Sequence, residues 1–141
     1  MKYVLDASVA LKWVLPESDS DKALALRDSW TQHLDELIAP HFFPMECGYS
    51  LFRAQNKKLV SPGQPRKLLT SILSHSPILK DVGPLLPRAV EIAEQMGIGF
   101  YDAFYLALAE AEACDFVTAD TKLLNAVSGK FSLVVDLAAM P

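Results

Sequence analysis

Four acidic residues combine a reactive type with a suggestive position. Asp6 directly follows the apolar run Lys2–Leu5, and Asp120 comes two residues after Phe116-Val117-Thr118. Glu46 sits just past Pro44, and Asp102 just past Gly99. Carboxylates gathered in one cleft repel one another and cannot all ionise comfortably without a cation. Their hard oxygens select Mg2+ or Mn2+ over zinc. A cation held this way orients a phosphate, lowers the pKa of a water and steadies a leaving oxygen, which is the chemistry of phosphodiester hydrolysis. Asp6 and Asp120 leave strand ends and are read as the central ligands. Asp102 and Glu46 would hold a second ion or act through its water, and the number of ions is left open. Each acid alone also has a plain structural reading. Asp102 can complement a helix N-terminus, Asp120 can cap a helix, and Glu46 can be an exposed first-turn acid.

The elements that must position these acids alternate between strand and helix. Lys2–Leu5 reads as a buried first strand, and Ser8 as the cap of a short helix that stops before Pro16. A helix is expected from about Ser20 to His33, with Leu24, Leu26, Trp30 and Leu34 at helical spacing. Leu37-Ile38-Ala39 is a brief strand stopped by Pro40. Pro44 suits the first turn of a helix reaching about Lys57, and another helix is expected near Arg66–Ser74. A strand at Ile78–Val82 precedes a helix from Pro87 to Met96 that ends at Gly97. Phe100–Ala113 is a mostly apolar helix, followed by the strand 116–118, a short helix Thr121–Val127 and a last strand 133–135. This alternation predicts an α/β sandwich around a mainly parallel sheet, with sites at the carboxyl ends of strands.

The 141 residues, 51% hydrophobic and 21% charged, read as a single domain over 1–141 with one real core. Cys47 and Cys114 sit in apolar stretches and are expected as free, buried thiols. His33, His41 and His75 match no zinc spacing and are expected on loops or the surface. Asp6 and Lys12 break any signal-peptide core, and no apolar stretch is long enough for a membrane span, so a cytoplasmic protein is expected. The net charge of −4 becomes neutral once the four candidate acids are set aside, so charge neither supports nor excludes a nucleic-acid partner.

At this point the sequence resembles the bacterial PIN domains. Asp6-Ala7-Ser8-Val9-Ala10, followed by Lys12-Trp13 and Pro16-Glu17, looks like their opening motif. Pro40 through Glu46 to Leu51 resembles the second motif, although Gly48-Tyr49 stands where many relatives carry small aliphatic residues. Tyr101-Asp102-Ala103 with Tyr105-Leu106-Ala107 resembles the third, and Thr118-Ala119-Asp120 with Lys122-Leu123 the fourth. The order agrees over essentially the whole chain and looks most like the toxin halves of VapBC-type toxin–antitoxin pairs. The resemblance implies a three-layer α/β/α sandwich. It implies an endoribonuclease dependent on Mg2+ or Mn2+, often dimeric, held inactive by a small antitoxin. It also implies Asp6, Glu46, Asp102 and Asp120 as the acidic quartet. The alternative is a catalytically silent PIN-fold module that binds RNA or protein. A dehalogenase-type phosphatase would want an acid at position 8, where Ser8 stands, and a receiver domain would want an acid pair at the first strand.

Around the acids, Ser8 and Thr118 are expected to hydrogen-bond carboxylates or water. Capping for Ser8 and an ordinary strand position for Thr118 are equal alternatives. Lys12, Arg53 and Lys122 are the candidates for holding RNA phosphates, each also readable as a solvated cation. Arg53, Lys57, Lys58, Arg66 and Lys67 form a basic region around a turn that could steer RNA, meet an acidic partner segment or simply be solvated. Trp13 and Trp30 are read as core or dimer contacts.

Overall fold

The computed structural model describes all of residues 1–141. Its strands are β1 (Lys2–Leu5), β2 (Glu36–Pro40), β3 (Ile78–Lys80), β4 (Asp115–Thr118) and β5 (Val134–Asp136). Its helices are α1 (Ala7–Leu11), α2 (Ser20–Thr31), α3 (Phe43–Asn56), α4 (Gln64–Leu73), α5 (Leu86–Met96), α6 (Phe100–Glu112) and α7 (Thr121–Val127). The strands form one sheet in the order β3-β2-β1-β4-β5, and every neighbouring pair is parallel. The sheet expected as mainly parallel is therefore wholly parallel.

Alternation along the strands sends successive side chains to opposite faces. Val4, Ile38 and Phe116 pack into one core with α5, α6 and α7. Leu5, Leu37, Ala39 and Val117 pack into a second core with α1, α2, α3 and α4. Helices thus cover both faces of the sheet, giving a three-layer α/β/α sandwich. Covered faces explain why the strands read as short apolar runs rather than as alternating ones.

Several boundaries differ from the sequence reading. Ser8 does not cap α1, because Asp6 holds the N-cap position in extended conformation and Ser8 lies inside the helix. The helix expected to reach His33 stops at Thr31, and His33 takes a left-handed φ of 60° that no helix continues through. β3 ends at Lys80, and a 3-10 turn, Gly83–Leu85, leads into α5. A second 3-10 turn, Leu137–Ala139, follows β5. Gly97 closes α5 at φ 65°, as expected of a C-cap. Gly48, two residues past Glu46, faces Leu69 of α4, and a β-carbon there would stand 3.6 Å from its Cδ2, an ordinary contact. The departure from the motif at this position therefore leaves room for an ordinary side chain without disturbing the α3–α4 contact. Cys47 and Cys114 are buried and unpaired.

The chain runs from central β1 outward through β2 and β3, then returns to β1's other side with β4 and β5. Strand order reverses between β1 and β4, and the crevice outside their carboxyl ends is where open α/β sheets place ligands.

Candidate active site

Asp6 and Asp120 emerge on this rim. Leu5 lies abreast of Val117, and the Asp6 backbone N–H donates to the Val117 carbonyl at 3.1 Å, which fixes Asp6 beside the end of β4. Asp120 is the N-cap of α7, its Oδ1 accepting from the Leu123 N–H at 3.1 Å. It therefore has the capping role that its position also allowed, and it still lines the cleft. Glu46 arrives from the first turn of α3 and Asp102 from the first turn of α6. All four acids line one cleft of about 500 Å³. Four elements far apart in sequence deliver them.

Asp6 is the best fixed of the four. Its side chain is buried, and both the Ser8 and the Thr118 hydroxyls donate to its Oδ2 at 2.7 Å. The same hydroxyls accept from the backbone, Ser8 from the Ala119 N–H at 3.0 Å and Thr118 from the Asp120 N–H at 3.1 Å. With both hydroxyls on one oxygen, Oδ1 is left for another partner. Glu46 is held by Tyr105, whose hydroxyl donates to Oε1 at 2.7 Å. The tyrosine ring is fully buried, so Tyr105 belongs to the core and to the site at once. The sequence reading used Tyr105 only as part of a motif. A contact across 59 residues leaves no local signal.

Burial pushes the Asp6 carboxyl above its ordinary range, against the lowering by its two hydroxyl donors, and the Asp120 charge adds to the rise. Glu46 is pushed up to about 7, first by burial and then by the charges of Asp6 and Asp102, with Tyr105 opposing. Asp102 rises to about 6 through burial and the charges of Asp6 and Asp120, while Lys122 pulls the other way. These acids feel one another and lack a cation of comparable weight. That fits a hard, oxygen-seeking divalent ion. The four acids line the same cleft, but no three of them stand close enough together to form a ligand cage.

The candidate cations divide. Lys12 does not reach the cleft: it is buried, with its ammonium 2.8 Å from the Ser18 carbonyl and 3.2 Å from Glu17 Oε2. Lys122 is exposed, two residues past Asp120 in the first turn of α7, and its charge reaches Asp102. Arg53 is exposed on α3, its guanidinium 5.8 Å from the ring centre of Tyr49, which lines the cleft. Tyr49 and Tyr101 form exposed walls that sequence reasoning missed, because an exposed aromatic in an apolar helix looks like a core position. The two tryptophans bond backbone carbonyls instead, Trp13 to Ala23 and Trp30 to Ser76.

The PIN domain family matches residues 3–129. The exonuclease VapC9 of Pyrobaculum aerophilum is 31% identical over 115 residues, covering 79% of this chain and 85% of that protein. A ribonuclease VapC9 of Mycobacterium tuberculosis is 30% identical over 120 residues, covering 85% and 87%. Among solved structures, VapBC2 from Rickettsia felis, bound to a DNA fragment from its promoter, superposes with a TM-score of 0.66 at 19% identity. That match covers 96% of this chain and 98% of the other. On the strength of a family match spanning most of its length, the chain belongs to the PIN domain family.

Proposed function

We propose that this chain is a divalent-metal-dependent endoribonuclease, the toxin of a VapBC-type toxin–antitoxin pair, hydrolysing RNA phosphodiester bonds. The observation that carries the reading is the meeting of Asp6, Glu46, Asp102 and Asp120, from four separate elements, in one cleft at the switch point of the sheet. The names of the VapC relatives support a nuclease, and the VapBC2 neighbour supports a protein partner. We read residues 1–141 as one domain, since a single sheet and its helices account for nearly all of them.

In this reading Asp6 and Asp120 hold Mg2+ or Mn2+, with Asp102 and Glu46 completing the set. When bound, the ion supplies charge relief at the phosphate and acidifies water. The chain's own groups do the rest. Ser8 and Thr118 fix one oxygen of Asp6 so that the other faces the cleft. Tyr105 holds Glu46 Oε1, which leaves Oε2 to take a proton from the attacking water. Burial raises the proton affinity of Glu46 above that of an ordinary carboxylate, which suits it to that task. A homodimer is also part of the proposal, supported by the exposed Met45, Phe52 and Phe100 on α3 and α6. No helix is long and apolar enough to cross a membrane.

The test is cleavage of a pool of structured RNAs and of a closed circular RNA by purified protein with Mn2+ or Mg2+. Asp6→Asn and EDTA serve as controls. Metal-dependent cutting that includes the circle, and is lost in Asp6→Asn, is expected. Cutting of linear RNA alone would turn the reading toward an exonuclease. Folded protein that neither cuts nor gains stability with the metal would leave the silent binding module.

A further inference from the structure

The apolar stripe of α2 runs on to a residue that the fold leaves in water. Leu26, Trp30 and Leu34 share helical spacing. Yet α2 stops at Thr31, and Leu34 stands 69% exposed on the turn into β2. Met1 is 75% exposed, and Ile78, at the start of β3, is 43% exposed. These three side chains and Trp30 line a shallow groove of about 510 Å³. It lies where β1, β2 and β3 begin, at the other end of the sheet from the four acids.

The walls of this groove are fixed by hydrogen bonds. The Leu34 N–H donates to the Ser29 carbonyl at 2.9 Å, and the Glu36 N–H to the Met1 carbonyl at 2.8 Å. Asp35 accepts from the Ser29 hydroxyl at 2.6 Å and from the amino terminus at 2.7 Å. Trp30 Nε1 donates to the Ser76 carbonyl at 3.3 Å. A contiguous apolar surface held open in this way marks a place for a partner, since covering it removes that surface from water.

Charge and backbone select the partner. Asp35 and Glu36 line the groove, and no lysine or arginine does. Glu36 is exposed and makes no ion pair. Lys2 and Arg27, the basic residues that flank it in sequence, are held by Glu112 and Asp28. β3 is the edge of the sheet. The His41 N–H donates to the Lys80 carbonyl, so alternation along β3 turns the Leu79 N–H and C=O outward. An extended segment pairs with such an edge and sets alternate side chains beside it.

We propose that this groove docks an extended segment of a partner protein that alternates apolar and basic side chains. The apolar ones lie on Trp30, Leu34 and Ile78, and a lysine or arginine meets Glu36. The occupant leaves the acidic cleft open, so the face recruits a partner without blocking the cleft. It holds whether or not the cleft cuts RNA.

The probe is a short capped peptide of alternating leucine and lysine, labelled for anisotropy and titrated into the full chain. Tryptophan fluorescence followed in parallel locates it, because Trp30 lines the groove while Trp13 is buried against α2. Binding should saturate and shift the emission, and Trp30→Phe should abolish that shift. Leu34→Ser, at a position too exposed to hold the fold together, should weaken binding about tenfold or more. Ile78→Thr, which keeps a strand-forming residue at the edge, should weaken it as well. Glu36→Gln should weaken it severalfold and reduce its dependence on salt. A peptide of alternating leucine and glutamate should not bind, and saturating leucine–lysine peptide should leave RNA cutting by the wild-type chain unchanged. Equal binding of the glutamate peptide would overturn the charge selection. Binding that survives Leu34→Ser and Ile78→Thr with Trp30 silent would overturn the groove, as would peptide that stops RNA cutting, since it would then sit in the acidic cleft. A change of sedimenting mass in Leu34→Ser would make the face a contact between copies of this chain and overturn the partner. Absence of any binding to the folded wild-type chain would also overturn the proposal.

Discussion

At the scale of single residues, the site depends on groups that touch carboxylates rather than substrate. Thr118→Val keeps shape but removes a donor from Asp6 Oδ2 and the acceptor for the Asp120 N–H. Partners of this kind tune ligand affinity by about 10–100-fold. The variant should therefore need more Mn2+ for half-maximal activity while staying folded, as titration of activity against metal will read. Tyr105→Phe removes the donor to Glu46 Oε1 and nothing else. Because that bond favours the charged carboxylate, its loss should move the acid limb of the pH–activity profile to higher pH. An unmoved limb would mean Glu46 is not the group that limits activity. These residues also mark how far single positions were legible. Asp6 and Asp120 could be placed because each closely follows an apolar run that had to be a strand. For Lys12 the sequence leaves phosphate contact and solvation open, because closeness along the chain does not give direction; its ammonium turns to Glu17 and Ser18.

At the scale of elements, the sequence spoke through punctuation and apolar runs. Pro44 and Gly97 marked a helix start and a helix end that the structure places within a residue of expectation. The 3-10 turns at Gly83–Leu85 and Leu137–Ala139 carry no comparable period, being too short to show one. Ala113 ends its helix where the apolar run predicts, but without the usual glycine. It closes α6 in left-handed conformation at φ 51°, where a glycine would be the readable signal. The two caps make a paired prediction for thermal unfolding. Gly97→Ala forces a β-carbon into left-handed backbone and should cost about 1 kcal/mol or more. Ala113→Gly relieves the same strain and should be neutral or stabilising. A clear loss at Ala113→Gly would show that α6 tolerates that conformation without strain.

At the scale of the whole molecule, the sheet concentrates acids where its strand order reverses, which links stability to pH and, on the proposed function, to metal. Glu46 and Asp102 titrate in the folded chain at about 7 and about 6, above their ordinary 4.5 and 3.8, and Asp6 is raised with them. A raised folded pKa means the native state keeps protons that the unfolded chain releases. The associated stability is complete below about pH 4 and is lost as pH climbs through about 7. Asp35, Glu110 and Glu112 shift the opposite way, through the N-terminal amine, Arg88 and Lys2. Their effect is confined to pH values below the ordinary carboxylate range, so the interval from pH 5 to 8 reports the cleft. Metal-free protein should therefore melt at progressively lower temperature from pH 5 to pH 8, and Glu46→Gln should flatten that fall. On the proposed reading a divalent ion reverses the argument, because it would bind ionised carboxylates and only in the folded chain. At a hundredfold excess over its dissociation constant it adds about 2.7 kcal/mol, roughly 5–10 °C for a chain of this size. The gain should be large at pH 8 and small at pH 5, where protons compete for the same oxygens. Equal melting temperatures with and without Mg2+ or Mn2+ at pH 8, in protein that still melts lower as pH rises, would mean that the acids share the cleft without forming a cation site.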